Sequence, residues 1–162
     1  MKQLLVSFAK YEYWANEGLL QVVLELSEEQ QQQEIKSSFP SIFKTYLHIW
    51  DASSIWWQRL QKHEHVLVPS LTFHPSMKDI VNGLLQQNTQ WIEWVSSASD
   101  TDLAYILPYK NMKGDSFEQA VSEIVLHLNN HGTYHRGQVV TMLREVGVEK
   151  IPQTDYILYS RS

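Results

Sequence analysis

The sequence predicts an all-α fold, an antiparallel four-helix bundle with at most a small β-hairpin before the last helix. Three observations lead there. Apolar residues recur at helical spacing in four long segments. The breaks between them are short and carry Ser, Pro or Gly. A length of 162 residues with 43% hydrophobic content suits one domain, residues 1–162, with a full core.

The first helix is expected from Lys2 to about Leu26, with Leu5, Phe8, Ala9, Tyr13, Leu19, Leu20 and Val23 near helical spacing. Ser27-Glu28-Glu29-Gln30 then has the form of a capping box opening a glutamine-rich turn. Pro40 suits a helix start, and Ser41 to about Gln61 is apolar around more than half its circumference, so that helix should be largely buried. After a loop with Pro69 and Pro75, Ser76 opens a third helix reaching about Ser97. Leu103 to Tyr109 is β-prone and Lys110 to Gly114 reads as a hairpin loop. The last helix is expected from about Phe117 to Val146, stopped by Gly147. The tail from Val148 contains Pro152 and should be irregular but packed through Ile151, Tyr156, Ile157, Leu158 and Tyr159.

Composition removes several function classes. Thirteen Lys plus Arg stand against eighteen Asp plus Glu, a net charge of −5 with no basic run. A surface tracking nucleic-acid phosphates is therefore not expected. The chain has no cysteine, which excludes disulfides, thiolate zinc sites and a cysteine nucleophile. The N-terminal apolar run is too short for a signal peptide, and no stretch approaches the ~18 apolar residues of a membrane span. A soluble cytoplasmic protein without a membrane partner is the expectation.

The seven histidines carry the chemistry. His127, His131 and His135 sit four apart on the last helix and share one face, with Cβ atoms ~5–6 Å apart. Ile124, Leu128, Val139 and Met142 lie on that stripe, so the imidazoles point toward the core. One histidine on an apolar face is ordinarily a core residue. Several side by side are costly to bury without partners, and metal coordination satisfies them. All three cannot bind one ion, because the outer pair is ~12 Å apart along the axis at ~1.5 Å per residue. One adjacent pair forms the clamp, and spacing alone leaves open which. His48, midway along the most apolar helix, is the natural third donor. His63, His65 and His74 are expected to be exposed. The Glu-x-x-His pair of di-iron bundles, His-Glu-x-x-His, a glycine-rich phosphate loop and a Gly-x-Ser-x-Gly elbow are all absent from the sequence.

The segment Asn130-His131-Gly132-Thr133-Tyr134-His135-Arg136-Gly137-Gln138 resembles the signature of the DinB family. Leu47-His48-Ile49-Trp50 with Trp57, the late Gly147 and Pro152-x-x-Asp155 extend the resemblance over essentially the whole chain. The resemblance implies a four-helix bundle binding one divalent metal (Zn, Ni or Fe) through His48, His131 and His135. His127 is then spare, either a hydrogen-bond partner to a ligand or core. Asp51, one turn after His48, is a further candidate partner, though a solvated carboxylate is its plainer reading.

Three nitrogens with an open position describe a catalytic rather than a structural metal site. Some members of the broader superfamily resemble transferases and isomerases that use low-molecular-weight thiols such as bacillithiol. The implied function is a metal-dependent, thiol-dependent S-transferase acting on a small electrophilic substrate. A metal-dependent hydrolase and a non-catalytic metal-binding stress-response protein are the alternatives. Trp14, Trp50, Trp56, Trp57 and Tyr134 are candidates to wall a pocket beside the metal. The resemblance and the aromatic-rich helices together lead us to expect a homodimer.

Overall fold

The computed structural model describes residues 1–161. It is mostly helical, with one two-stranded antiparallel sheet. The helices are α1 (Lys2–Leu24), α2 (Glu28–Gln32), α3 (Ile42–Leu60), α4 (Pro69–Thr72), α5 (Met77–Ser97), α6 (Asp100–Ala104), α7 (Val121–Glu145) and α8 (Tyr156–Tyr159); β1 (Ile106–Lys110) and β2 (Ser116–Ala120) form the sheet. Helix α1 packs on α5 and α7, and α3 packs on the same two, so the four long helices enclose a common interior.

The helix starts follow local hydrogen-bond chemistry. Ser27 and Gln30 form the expected capping box, each side chain satisfying the other's backbone N–H. Ser76 and Asp79 do the same for α5, as do Ser99 and Asp102 for α6. Ser41 caps α3 by accepting the N–H of Lys44. Helix α7 ends before Gly147, whose φ of +93° is the left-handed conformation that a glycine adopts without cost.

Three expectations need correction. The last helix begins at Val121, not Phe117, because residues 116–120 are taken into β2, with Tyr109 opposite Phe117 and Ile106 opposite Ala120. Leu103, expected in the β-prone stretch, belongs to α6. The tail is packed as expected but is not wholly irregular. Helix α8 carries Tyr156, whose ring stacks on Phe8 at 4.8 Å and whose hydroxyl hydrogen-bonds Ser7 at 2.9 Å.

The interior is two apolar clusters with a polar layer between them. One cluster gathers Leu19, Leu20, Tyr46, Leu84, Val139 and Met142. The other gathers Leu5, Trp91, Val95, Leu107, Ile124 and Val125. At the level between them each long helix contributes buried polar groups: Glu12 and Asn16 from α1, Ser53 from α3, Asn88 from α5, and Asn129, His135 and Arg136 from α7.

Close approach of α3 and α5 depends on Gly83. A Cβ there would collide with the indole of Trp50, which lies against the glycine. Gly83→Ala is expected to cost about 1–3 kcal/mol through overpacking, read as a lower midpoint in urea denaturation. An unchanged midpoint would mean that Trp50 moves aside freely.

Candidate metal centre

Helices α3 and α7 bring His48, His131 and His135 together. One ring nitrogen from each lies within 4.8 Å of the others, and no fourth His, Asp or Glu joins them among the described residues. The Nε2 atoms of His48 and His131 are 2.9 Å apart and share a hydrogen bond. The three rings meet edge to face, with centroids 4.5–4.9 Å apart. His135 is buried and the other two are half-buried.

The electrostatics favour neutral rings. Burial, assisted by His135, pushes His48 down to about 4. Burial and the neighbouring histidines push His131 down to about 3. His135 is also lowered by burial, with its hydrogen bond to Gln138 opposing the shift. At neutral pH all three imidazoles therefore keep a lone pair, which is the form that ligates a metal. Donor type, mutual distance and protonation all fit one divalent ion, whose bonds to histidine nitrogen are ~2.0–2.1 Å.

His127 stands one turn away. Its ring is 5.6 Å from His131 and 6.0 Å from Trp56, it is exposed, and it lies outside the cluster. Asp51 is neither bonded to the histidines nor simply solvated, the plainer reading of it from the sequence. Its Oδ1 accepts the N–H of Ser70 at 2.8 Å, tying α3 to the start of α4. His63, His65 and His74 are exposed, as expected.

Among the aromatic candidates only Tyr134 touches a clustered histidine, its ring 5.0 Å from that of His135. Trp56 reaches the cluster only through His127. Trp57 packs on Trp91, Trp50 covers Gly83, and Trp14 lies with Tyr11 and Tyr159.

Two contributors were not singled out from the sequence. Phe39, on the loop before α3, stacks on His48 at 4.0 Å and meets His135 edge-on at 5.6 Å. Gln138 accepts the Nδ1–H of His135 at 2.8 Å and donates to Ser38 Oγ at 2.8 Å. That bond fixes the His135 tautomer and leaves its Nε2 lone pair facing the cluster. Gln138 is the last residue of the His-Arg-Gly-Gln string, so its spacing of three from His135 was a readable signal. Gln138→Ala is expected to weaken divalent-metal binding roughly 10–100-fold, measured by calorimetric titration of zinc. An unchanged affinity would remove its orienting role.

The neighbouring residues of the string have a different task. Arg136 Nη1 pairs with Glu12 Oε1 at 2.7 Å, with both side chains nearly inaccessible. Asn16 bridges the pair to Asn88. Gly132 leaves the space: a Cβ there would collide with the Glu12 carboxylate.

Comparison with known proteins places the whole chain. The model of the DinB family matches residues 1–162. Protein DinB of Bacillus subtilis (strain 168) is 31% identical over 162 residues, covering 94% of this chain and 92% of that protein. The crystal structure of a DinB-like protein from Bacillus cereus ATCC 10987 superposes with a TM-score of 0.68 at 25% identity, over 89% of this chain and 91% of that one. The match runs from end to end and includes the helices that carry the three histidines, and on it the chain belongs to the DinB family.

Proposed function

We propose that His48, His131 and His135 hold one divalent metal ion (Zn, Ni or Fe), and that the protein is a metal-dependent enzyme, a thiol-dependent S-transferase acting on small electrophiles. The observation that carries this reading is the cluster of three neutral imidazoles whose nitrogens lie within 4.8 Å, without a fourth protein ligand among the described residues. A three-ligand site leaves room for an exogenous group, the pattern of catalytic sites. A divalent ion bound there supplies Lewis acidity that lowers the pKa of a thiol or water molecule brought to it.

The chain's own residues set the conditions for that chemistry. Gln138 orients His135. Phe39 stacks on His48, and the Tyr134 ring meets that of His135 edge-on. With no cysteine in the chain, the thiol must come from a small-molecule cofactor such as bacillithiol. In the same reading the chain is one domain, its four long helices form an antiparallel four-helix bundle, and it works in the cytoplasm as a homodimer.

The test is an assay of metal-loaded protein with a low-molecular-weight thiol and an electrophile such as an epoxide or aryl halide, beside ester and amide substrates. Conjugation that needs both thiol and metal supports the transferase. Turnover of esters or amides without thiol replaces it with a hydrolase. Inactivity in every arm, with metal bound, rejects the enzyme reading and leaves a metal-binding protein.

A further inference from the structure

Along α3, His48, Ala52, Trp56 and Arg59 recur at intervals of four, four and three, so they share one helix face. His48 and Arg59 are eleven positions apart, about 16 Å along the axis at ~1.5 Å per residue. On α7 the facing wall is His131 and then His127, one turn earlier. The Trp56 ring lies beside this wall, 6.0 Å from His127 and 4.7 Å from Tyr109 of β1.

Beyond Trp56 lies a groove of about 520 Å³ lined by Arg59, Lys62, His63, Glu64, Tyr109 and Lys110 among others. Three of these are cations, on a chain whose net charge is −5. None of the three has a carboxylate within ion-pair distance, since the one ion pair among the described residues is Glu12–Arg136. Arg59 is also held in place. Its guanidinium lies 4.7 Å from the Trp56 ring centre and 4.9 Å from that of Tyr109, and Nη2 donates to the carbonyl of Lys110 at 2.9 Å. One of its five donors is thereby used, and the fork is ordered before any ligand arrives. Lys62 lies over Tyr105 at 5.2 Å on the same groove.

We propose that this groove binds an anionic group, a carboxylate or a phosphate, on a small molecule whose other end reaches the three histidines. An arginine fork immobilised between two rings, flanked by two lysines, suits a planar or tetrahedral oxyanion. The separation along α3 then sets the substrate class: an elongated molecule with its charge some 16 Å from the reacting atom, by the same rise per residue. The link to the reacting atom rests on the metal-site reading, whereas the anion site stands on Arg59, Lys62 and Lys110 alone.

The experiment separates the two. Metal-free protein is titrated with succinate, inorganic phosphate and the neutral succinamide, following the Trp56 indole N–H in ¹⁵N NMR spectra. Saturable binding of succinate or phosphate, at least about tenfold weaker for succinamide, is expected. Arg59→Gln and Lys110→Gln should each weaken the anion about tenfold or more, and His135→Ala should leave it unchanged. Equal binding of succinate and succinamide, or full affinity in both charge variants, overturns the anion site. Cobalt-loaded protein is then titrated with straight-chain mercaptocarboxylates of increasing length, following the sulfur-to-cobalt absorption. A chain-length optimum that Arg59→Gln abolishes supports the link to the histidines. The same affinity at every length overturns that link while the succinate result stands. Failure to load cobalt at all counts against the metal reading and not against the anion site.

Discussion

Glu12→Ala is expected to lower the stability of the fold by about 3–5 kcal/mol, the usual consequence of stranding one member of a buried ion pair. Arg136 is 1% exposed and Glu12 7%. The substitution would leave a guanidinium in the interior with Asn16, Thr133 and the face of Tyr11 as its remaining neighbours. For a chain of this size each kcal/mol moves Tm by roughly 2–4 °C, so a fall of about 10 °C is the expected order. The pair is also incompletely satisfied. Glu12 Oε2, Asn129 Oδ1 and Arg136 Nε have no protein partner, and Glu12 and Asn129 line a cavity of about 20 Å³, room for a bound water. Urea denaturation of Glu12→Ala and of the double variant Glu12→Leu/Arg136→Met decides the matter. Removing both charges should recover most of the loss, because the desolvation cost disappears with the pair. A loss below about 1 kcal/mol in Glu12→Ala, the range of an exposed pair, would show that water reaches Arg136 and that the polar layer is not sealed.

The ion pair bears on function through position. Arg136 follows a clustered histidine directly, and Glu12 rests against Gly132, the residue after another. The bridge therefore ties α1 to α7 at the level where the three imidazoles must be held.

What could be read from the sequence divides along physical lines. Long helices were legible because their apolar faces repeat for five or more turns, and the starts of α3 and α5 are marked by Ser41 and Ser76, which cap through their own side chains. Helices α4, α6 and α8 are single turns and carry no period to read. The start of α7 was placed four residues early because Phe117 and Ala120 suit a helix as well as a strand, and the choice was made by pairing with β1 across the hairpin. His48, His131 and His135 were recognisable as a set through the family resemblance, whereas spacing alone left two clamps open. Phe39, Gln138 and the role of Glu12 depend on contacts between distant segments, and Asp51 was drawn away by Ser70, which no local pattern announces.

Single alanine substitutions at His48, His131 and His135 should each abolish stoichiometric metal binding, while His127→Ala should retain it. Each of the three supplies one of the nitrogens that lie within 4.8 Å. Losing a direct ligand should cost more than the roughly 10–100-fold that follows loss of a residue orienting one. His127 is exposed and outside that group, so its removal should change affinity by less than such an orienting loss. The measurement is metal per chain after reconstitution and dialysis, on protein without a histidine tag, with far-ultraviolet circular dichroism to confirm that each variant is folded. The rival arrangement, in which His127 and His131 form the clamp, predicts the opposite pair of results: His127→Ala empty and His135→Ala loaded. The geometry opposes it, because His131 turns its Nε2 to within 2.9 Å of His48, and the His135 ring stands 4.8 Å from the His48 ring, nearer than His127 comes to His131. Folded but metal-free protein in all four variants and in the parent, after exposure to zinc, nickel and iron in turn, would reduce the cluster to a buried histidine layer and remove the basis of the enzyme reading.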